Sequence, residues 1–97
     1  MGKPEAYVEN HLVRRAKARG WRAFKFVSPG YSGVPDRIVV GNGRVVFVER
    51  KSSKGKLSEL QKNMIRKLRE LGAEVHVCYT REEVDAVLDG MSKGGCS

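Results

Sequence analysis

Asp36, Glu49 and Lys51 are the residues of this chain whose types and spacing could do chemistry. Two β-branched runs separate the acids and are joined by Asn42-Gly43, which is the strongest short-range signal for a hairpin with a type I′ turn. With Asn42 and Gly43 at the centre of the turn, counting outward along both strands sets Asp36 opposite Glu49. Opposite residues share a sheet face, and Lys51 shares it because it lies two residues beyond Glu49. The sequence therefore predicts two carboxylates and one amine at a single point.

The predicted pair of acids, Asp36 and Glu49, favours a metal site. Neighbouring carboxylates repel one another, which raises the pKa of one of them unless a positive charge lies between them. Mg²⁺ supplies such a charge and typically binds one or two carboxylates together with waters and substrate phosphate. The alternative is an ordinary salt bridge in which Lys51 neutralises the pair. Because the strands are otherwise apolar on both faces, burying three charges there is costly without a compensating metal or function.

Composition limits the partners of the chain. Its 97 residues suit one domain, and 19 Lys and Arg against 11 Asp and Glu give a formal net charge of +8. Such an excess favours polyanions, either nucleic acid or an anionic membrane surface. No apolar run approaches the roughly 20 residues that span a bilayer, and no signal-peptide segment follows the N-terminus, so nucleic acid is the better partner. The chain has two cysteines, Cys78 and Cys96, which are too few for a disulfide framework. This composition fits a reducing compartment.

The periodic segments predict an α/β fold of mixed α+β type within one domain, residues 1–97. We expect helices at about 4–19, 58–71 and 80–90, strands at 21–27, 36–40, 45–51 and 73–79, and a flexible tail at 91–97. The order α-β-β-β-α-β-α predicts a central mixed sheet with helices on both faces. The stretch between Lys51 and Ala73 is long enough for a crossover to a parallel strand.

Three short segments together resemble a known family. They are Gly33-Val34-Pro35-Asp36-Arg37, then Val46-Phe47-Val48-Glu49-Arg50-Lys51, then Leu57-Ser58-Glu59-Leu60-Gln61. The combination is similar to the VRR-NUC branch of the PD-(D/E)xK nuclease superfamily, from the first helix to about Leu88. The resemblance implies a restriction-endonuclease-like core and a DNA endonuclease that depends on Mg²⁺ or Mn²⁺.

The resemblance also implies roles for individual residues. Asp36 and Glu49 would be metal ligands, and the backbone carbonyl of Arg50 would be a third. Lys51 would position or activate the attacking water. A glutamate of the first helix approaches the metal in this family, and Glu9 is the candidate, although a helical Glu is more usually part of a solvated face.

Arg50 and Gln61 each carry competing interpretations. The middle residue of the Glu-x-Lys triplet is usually aliphatic in this family, and here it is Arg50. Strand alternation points that side chain away from Glu49, so we expect Arg50 to affect the packing behind the sheet rather than the catalytic face. The family places Gln61 near the active site, yet Ser58 and Gln61 also fit a capping box, and the two roles could exclude each other.

Four further residues are candidates for contact with nucleic acid. Lys25 interrupts an apolar strand face, so it is either a rim residue or a phosphate contact. Tyr31 lies in the turn-rich loop before Asp36, where it either stacks on a base or packs locally. Lys54 and Lys56 follow Lys51 in a short basic loop that is either a solvated connection or a phosphate contact.

The leading interpretation is hydrolysis of DNA phosphodiester bonds, with 5′-phosphate and 3′-hydroxyl ends implied by the resemblance. Minimal members of this family resemble standalone homodimers of viral or bacterial origin that cut branched DNA, including four-way (Holliday) junctions. That origin implies the cytoplasm of a bacterium or of a virus-infected host cell. The alternatives are a general or restriction-type duplex endonuclease and a non-catalytic nucleic-acid-binding module. The intact set of Asp36, Glu49 and Lys51 favours an enzyme over the module.

Overall fold

Three helices and four strands make up the described part of the chain, in the order that the sequence predicts. The computed structural model describes residues 5–52 and 54–93, with the side chains of residues 5–9 outside that description. The elements are α1 (Glu5–Ala18), β1 (Arg22–Lys25), β2 (Arg37–Gly41), β3 (Arg44–Arg50), α2 (Glu59–Glu70), β4 (Glu74–Cys78) and α3 (Arg81–Lys93). None of the helices within the described residues is long and apolar enough to cross a lipid bilayer.

The four strands form one mixed sheet, which confirms the predicted fold class. Their order is β1-β2-β3-β4; the β1–β2 and β2–β3 pairs are antiparallel, and β3 and β4 are parallel with α2 in the connection between them. One face of the sheet packs against α1 and α3. The core between these layers consists of fully buried side chains: Leu12, Ala16, Val39, Val46, Val48, Cys78, Val84, Leu88 and Met91.

The β2–β3 hairpin has the predicted turn and register. Asn42 has a φ of 52° and Gly43 a φ of 74°, and positive φ at both central residues is what a type I′ turn requires. The pairing runs from Gly41 opposite Arg44 to Arg37 opposite Val48. One further step along the same register sets Asp36 opposite Glu49.

Two predicted boundaries are wrong. The first strand spans Arg22–Lys25 rather than residues 21–27, because its partner β2 begins at Arg37 and only one further backbone bond, Phe26 N–H to the Asp36 carbonyl at 2.9 Å, follows. Helix α3 does not end at Gly90 but continues to Lys93. The reason is Met91, which is fully buried in the core and offsets the helical cost of glycine. The flexible tail therefore does not begin at residue 91, and residues 94–97 lie outside the described part.

The second face of the sheet is only partly covered. Helix α2 packs on β4 there and buries Ile65, while the β1–β2–β3 side of this face carries the exposed apolar side chains of Phe24, Val40 and Val45. A groove of about 460 Å³ opens between this face and α2. Its lining is apolar and aromatic and includes Phe26, Tyr31, Phe47, Met64, Leu68 and Leu71.

Candidate functional site

Asp36 is fixed at the end of the hairpin by backbone bonds on two sides. Its carbonyl accepts the Phe26 N–H at 2.9 Å, and its carboxylate Oδ1 accepts the Arg50 backbone N–H at 3.3 Å. Pro35, the preceding residue, is buried and has no N–H to extend the ladder. The Asp36 side chain therefore takes the place of the next strand partner of β3, which holds the carboxylate against that strand.

Glu49 is a buried acid beside Asp36. It lies in β3, has Val77 of β4 as its partner on the other side, and is only 4% exposed. Burial raises the pKa of Glu49, the charge of Asp36 raises it further, and Lys51 and Arg50 lower it only in part, so that the pKa is about 7. Glu49 is thus harder to ionise than an ordinary glutamate. A cation placed between the two acids would favour the charged form.

Lys51 lies on the same face as Glu49, as the alternation predicts. Its Nζ is 3.9 Å from Glu49 Oε2, and its backbone N–H donates to the Cys78 carbonyl at 2.9 Å, which extends the β3–β4 pairing beyond the end of β3. Gly55 folds back on this residue: a Cβ at Gly55 would lie 3.4 Å from Lys51 Cδ. The amine is therefore held near the two acids by a paired backbone and a close loop.

Gln61 forms the predicted capping box and also contacts Glu49. Its Oε1 accepts the Ser58 backbone N–H at 2.9 Å, and Ser58 Oγ accepts the Gln61 backbone N–H at 3.1 Å, which completes the capping box of α2. Its Nε2 donates to Glu49 Oε2 at 3.1 Å. The cap engages the oxygen end of the amide, so the nitrogen end is left facing the carboxylate. The capping box therefore does not keep Gln61 away from Glu49, and a part for Gln61 in catalysis stays a prediction.

Arg50 departs from its predicted position. Its Nη1 lies 3.4 Å from Asp36 Oδ2, with both side chains largely buried, at 16% and 26% exposure. The expectation that this arginine leaves the catalytic face unaffected is wrong, because Asp36 sits at the very end of the hairpin, within reach of a long side chain from the neighbouring strand. The described side chains of the cluster are thus two carboxylates, on Asp36 and Glu49, and two cations, on Arg50 and Lys51.

Gly33 is a positioning residue that the sequence interpretation missed. It has a φ of 83°, and a Cβ added there would lie 2.6 Å from the Leu60 carbonyl oxygen. Only glycine combines this backbone angle with such a close approach. The contact brings the loop that precedes Asp36 against the first turn of α2, which carries Gln61. The signal was available in the glycine that stands three residues before the acid in a turn-rich loop.

The four candidate DNA contacts are distributed unevenly around the cluster. Lys25 pairs with Arg37 in the sheet, and alternation places it on the face opposite Glu49, so the structure does not bring it to the acids. Tyr31 is exposed and lines the apolar groove beside the hairpin. Lys54 and Lys56 are exposed on the loop that follows Lys51. Three of the four therefore flank the cluster or its adjoining groove.

The donor set suits a hard divalent cation. Among the side chains that the structure describes, no third acid, histidine or cysteine joins Asp36 and Glu49 in a ligand cluster. Glu9 lies in α1, but its side chain is outside the description. Two carboxylates completed by waters or a backbone carbonyl are the usual protein ligands of Mg²⁺, and Mn²⁺ accepts the same oxygen donors. The buried, repelling pair is the feature that such a cation would relieve.

The chain is similar to known proteins over most of its length. The VRR-NUC domain family matches residues 5–82. A protein of Acyrthosiphon pisum secondary endosymbiont phage 1, named "Putative nuclease p44", is 43% identical over 79 residues, which are 80% of this chain and 85% of the phage protein. A solved structure of a VRR-NUC domain is 30% identical, covers 88% of this chain and 94% of the other, and gives a TM-score of 0.79.

Proposed function

The chain belongs to the VRR-NUC domain family and is a nuclease, and we propose that it is a metal-dependent DNA endonuclease that prefers branched DNA such as four-way junctions. One observation carries the catalytic part of the proposal. The buried Glu49 lies beside Asp36 with its carboxylate contacted by Gln61 and approached by Lys51. A buried acid with a raised pKa beside a second acid at the end of a sheet, with a hydrogen-bond donor and an amine next to it, is typical of a catalytic site.

Asp36 and Glu49 would hold Mg²⁺ or Mn²⁺ through their carboxylate oxygens. A bound divalent ion supplies a water of lowered pKa and stabilises charge that develops on the scissile phosphate. The backbone carbonyl of Arg50 is a reasonable third ligand. In a strand the N–H and C=O of one residue face the same neighbouring strand. Because the Arg50 N–H donates to Asp36, the Arg50 carbonyl also faces the Asp36 side of β3.

Lys51 and Gln61 would act beside the two acids. The Lys51 ammonium, 3.9 Å from Glu49, would hold the attacking water or a phosphate oxygen and assist removal of a proton from that water. The Gln61 amide, bonded to one Glu49 oxygen, would fix the orientation of the carboxylate and leave its other oxygen for a ligand. Attack on the phosphorus from the side opposite the 3′ oxygen would leave 5′-phosphate and 3′-hydroxyl ends.

The charge of the chain and its exposed loops support DNA as the partner. The formal net charge of +8 attracts a polyanion, and Lys54 and Lys56 are exposed on the loop that directly follows Lys51. Tyr31 offers a ring to a base at the edge of the groove beside the hairpin. A phosphate backbone lying across this loop would bring a scissile bond toward Asp36 and Glu49.

The open sheet face supports a homodimer. Phe24, Val40 and Val45 are exposed side chains on one face of a small domain whose core is thin. A second copy of the chain would cover them and place two active sites about a two-fold axis, which matches the symmetry of a four-way junction. Sedimentation analysis should give twice the monomer mass for the wild type and the monomer mass for Val45→Lys. A monomeric wild type at micromolar concentration would contradict the dimer.

Cleavage assays test the proposed activity. Wild type, Lys51→Ala and the control Lys17→Ala are incubated with labelled four-way junction or linear duplex, in Mg²⁺, Mn²⁺ or chelator. Lys17 is exposed on α1, so its variant removes the same charge away from the cluster. We expect metal-dependent cleavage of the junction by wild type and Lys17→Ala, and a loss of about 100-fold or more in Lys51→Ala.

The other outcomes of this assay separate the alternatives. Equal cleavage by wild type and Lys51→Ala would exclude the assigned role of the amine. Equal cleavage of junction and linear duplex by wild type would indicate a general duplex endonuclease. Salt-sensitive binding without cleavage by any variant would indicate a nucleic-acid-binding module.

A further inference from the structure

The acid pair has a cation of its own at each carboxylate. Arg50 Nη1 is 3.4 Å from Asp36 Oδ2, and Lys51 Nζ is 3.9 Å from Glu49 Oε2. Among the side chains that the structure describes, and with both acids ionised, Asp36 and Glu49 supply two negative formal charges and Arg50 and Lys51 two positive ones before any metal binds. A divalent ion that enters would meet charges that already cancel among these four side chains, so one of the cations opposes its binding.

We propose that Arg50 is the counter-ion of the metal-free site, that it yields an oxygen of Asp36 to the divalent ion, and that it thereby sets the metal concentration at which the site fills. The inference rests on the proposed function, because it takes Asp36 and Glu49 as the metal ligands. It assigns to Arg50 a role in metal affinity that is separate from any part its backbone carbonyl plays.

The two contacts between Arg50 and Asp36 differ in what they can do. The backbone N–H of Arg50 donates to Oδ1, and this contact fixes the carboxylate against β3 whether or not a metal is present. The guanidinium contact uses the other oxygen, Oδ2, at 3.4 Å. Both distances, 3.3 Å for the backbone N–H and 3.4 Å for the guanidinium, are longer than the roughly 2.7–2.9 Å typical of charge-assisted bonds. The contacts differ because the N–H belongs to the paired backbone of β3, whereas the guanidinium is carried on a long side chain. The side-chain contact can give way while the backbone contact keeps Asp36 in place.

The replacement of Arg50 by a divalent ion at Asp36 must depend on charge and not on loss of a proton from Arg50. A guanidinium stays protonated at every pH at which the protein is folded, so Arg50 cannot be neutralised and must move or share the carboxylate. The same charge benefits the metal-free protein, because it offsets the repulsion between Asp36 and Glu49. Removing it should therefore tighten metal binding and weaken the metal-free fold at the same time. A residue with a merely structural role would produce only the second effect.

Calorimetric titration with Mn²⁺, without DNA, tests the inference on four proteins. They are wild type, Arg50→Met, Arg50→Lys and the control Arg44→Met. Arg44 lies at the other end of β3, and its Nη2 pairs with Glu74 at 2.6 Å, so its variant also removes one paired arginine charge from the same strand. We expect Arg50→Met to bind Mn²⁺ roughly tenfold or more tightly than wild type. Arg50→Lys and Arg44→Met should stay within about threefold.

Thermal unfolding provides the second measurement. In chelator Arg50→Met should unfold at a lower temperature than wild type, and saturating Mn²⁺ should raise its unfolding temperature by more than it raises that of wild type. Arg50→Gln, which also lacks the charge, replaces Arg50→Met if the latter does not fold. Rescue by Mn²⁺ of a destabilised neutral variant is the result that the proposed counter-ion requires.

The possible failures are distinguishable. Mn²⁺ binding of equal or lower affinity in Arg50→Met overturns the role of Arg50 while the metal site stands. Tighter binding in Arg50→Lys or Arg44→Met, equal to that in Arg50→Met, also overturns it, because position and charge would not matter. If neither wild type nor Arg50→Met shows saturable binding of Mn²⁺, the proposed metal site itself is wrong.

Discussion

The two ends of strand β3 hold charged residues in opposite states. At the turn end, Arg44 Nη2 lies 2.6 Å from one carboxylate oxygen of Glu74, and His76 Nε2 lies 2.8 Å from the other. The His76 contact, followed by the Arg44 contact, holds the pKa of Glu74 below its ordinary value. At the other end Glu49 is buried beside a second acid, and its pKa is raised to about 7. A glutamate is thus more acidic than usual at one end of β3 and less acidic than usual at the other.

The difference lies in burial and in the sign of the nearest charge. Glu74 is partly exposed and each of its oxygens has a close cationic or imidazole partner. Glu49 is nearly inaccessible, its nearest ammonium is 3.9 Å away, and Asp36 adds repulsion. A fold gains nothing from the second arrangement by itself. A buried acid whose pKa stays raised despite two nearby cations is expected at a site that binds a ligand or performs a reaction.

Replacing the two glutamates one at a time should give the largest difference in cleavage rate. Glu49→Gln should lower the rate of junction cleavage at least about 1000-fold, which corresponds to about 4 kcal/mol of lost transition-state stabilisation, because it removes a metal ligand. Glu74→Gln should leave the rate within about threefold, because the Glu74 contacts with Arg44 and His76 do not involve the acid pair. Single-turnover rates at saturating Mg²⁺ measure both effects.

Comparable losses in the two variants would show that Glu49 acts through stability rather than chemistry. Urea unfolding of both proteins in chelator provides the control. Glu74→Gln should lose less than about 1 kcal/mol, since it breaks partly exposed pairs. Glu49→Gln should be no less stable than wild type at pH 8, where the charged Glu49 is a cost to the fold.

The Gln61 side chain contacts Glu49 and also caps α2. Two substitutions separate the contact from the cap. Gln61→Glu keeps an acceptor for the Ser58 N–H and so keeps the capping box, but it places a carboxylate against Glu49. Gln61→Ala removes both contacts. Cleavage should fall about 10- to 100-fold in each variant. Stability should fall by about 1 kcal/mol in Gln61→Ala because the cap is lost. In Gln61→Glu the cap stays, and the loss caused by repulsion between the new carboxylate and Glu49 should disappear at low pH.

Measured together, rate and stability decide the role of Gln61. A Gln61→Glu protein that cleaves like wild type would mean that the amide donor is dispensable to Glu49. Ser58→Ala is the matched control, because it weakens the cap and leaves the Gln61 side chain unchanged. We expect it to lose stability by about 1 kcal/mol with a smaller effect on the rate than either Gln61 variant.

The geometry that sequence predicts best is the geometry that local rules determine. The Asn42-Gly43 turn fixes the register of β2 and β3, so the approach of Asp36 to Glu49 follows from counting residues. The spacing of Lys51 then places it on the same face. The parallel placement of β4 follows from the length of the α2 connection. Each of these steps uses neighbours along the chain or across one turn.

The features that sequence did not predict depend on contacts between elements. The reach of Arg50 to Asp36 reflects how β2 ends, and alternation alone gives the wrong answer. The close packing of Gly33 on Leu60 requires knowing where α2 begins in space. The passage of α3 through Gly90 depends on a core pocket for Met91. In each case a tertiary contact overrides a correct local rule.

The pH dependence of stability should have opposite signs for the two glutamates. The folded-state pKa of Glu49, about 7, lies above the ordinary value of 4.5, so its contribution to the unfolding free energy is fully present below about pH 4.5 and is lost as the pH rises through 7. The pKa of Glu74 is lowered, so Glu74 adds a smaller amount to the unfolding free energy. That amount is present above the ordinary pKa of 4.5 and is lost as the pH falls below it. Urea unfolding in chelator from pH 5 to 8 should therefore show wild type losing on the order of 2 kcal/mol relative to Glu49→Gln. A difference between these two proteins that does not change with pH would mean that the carboxyl of Glu49 is as easily charged in the folded chain as in the unfolded one, and the contrast between the ends of β3 would disappear.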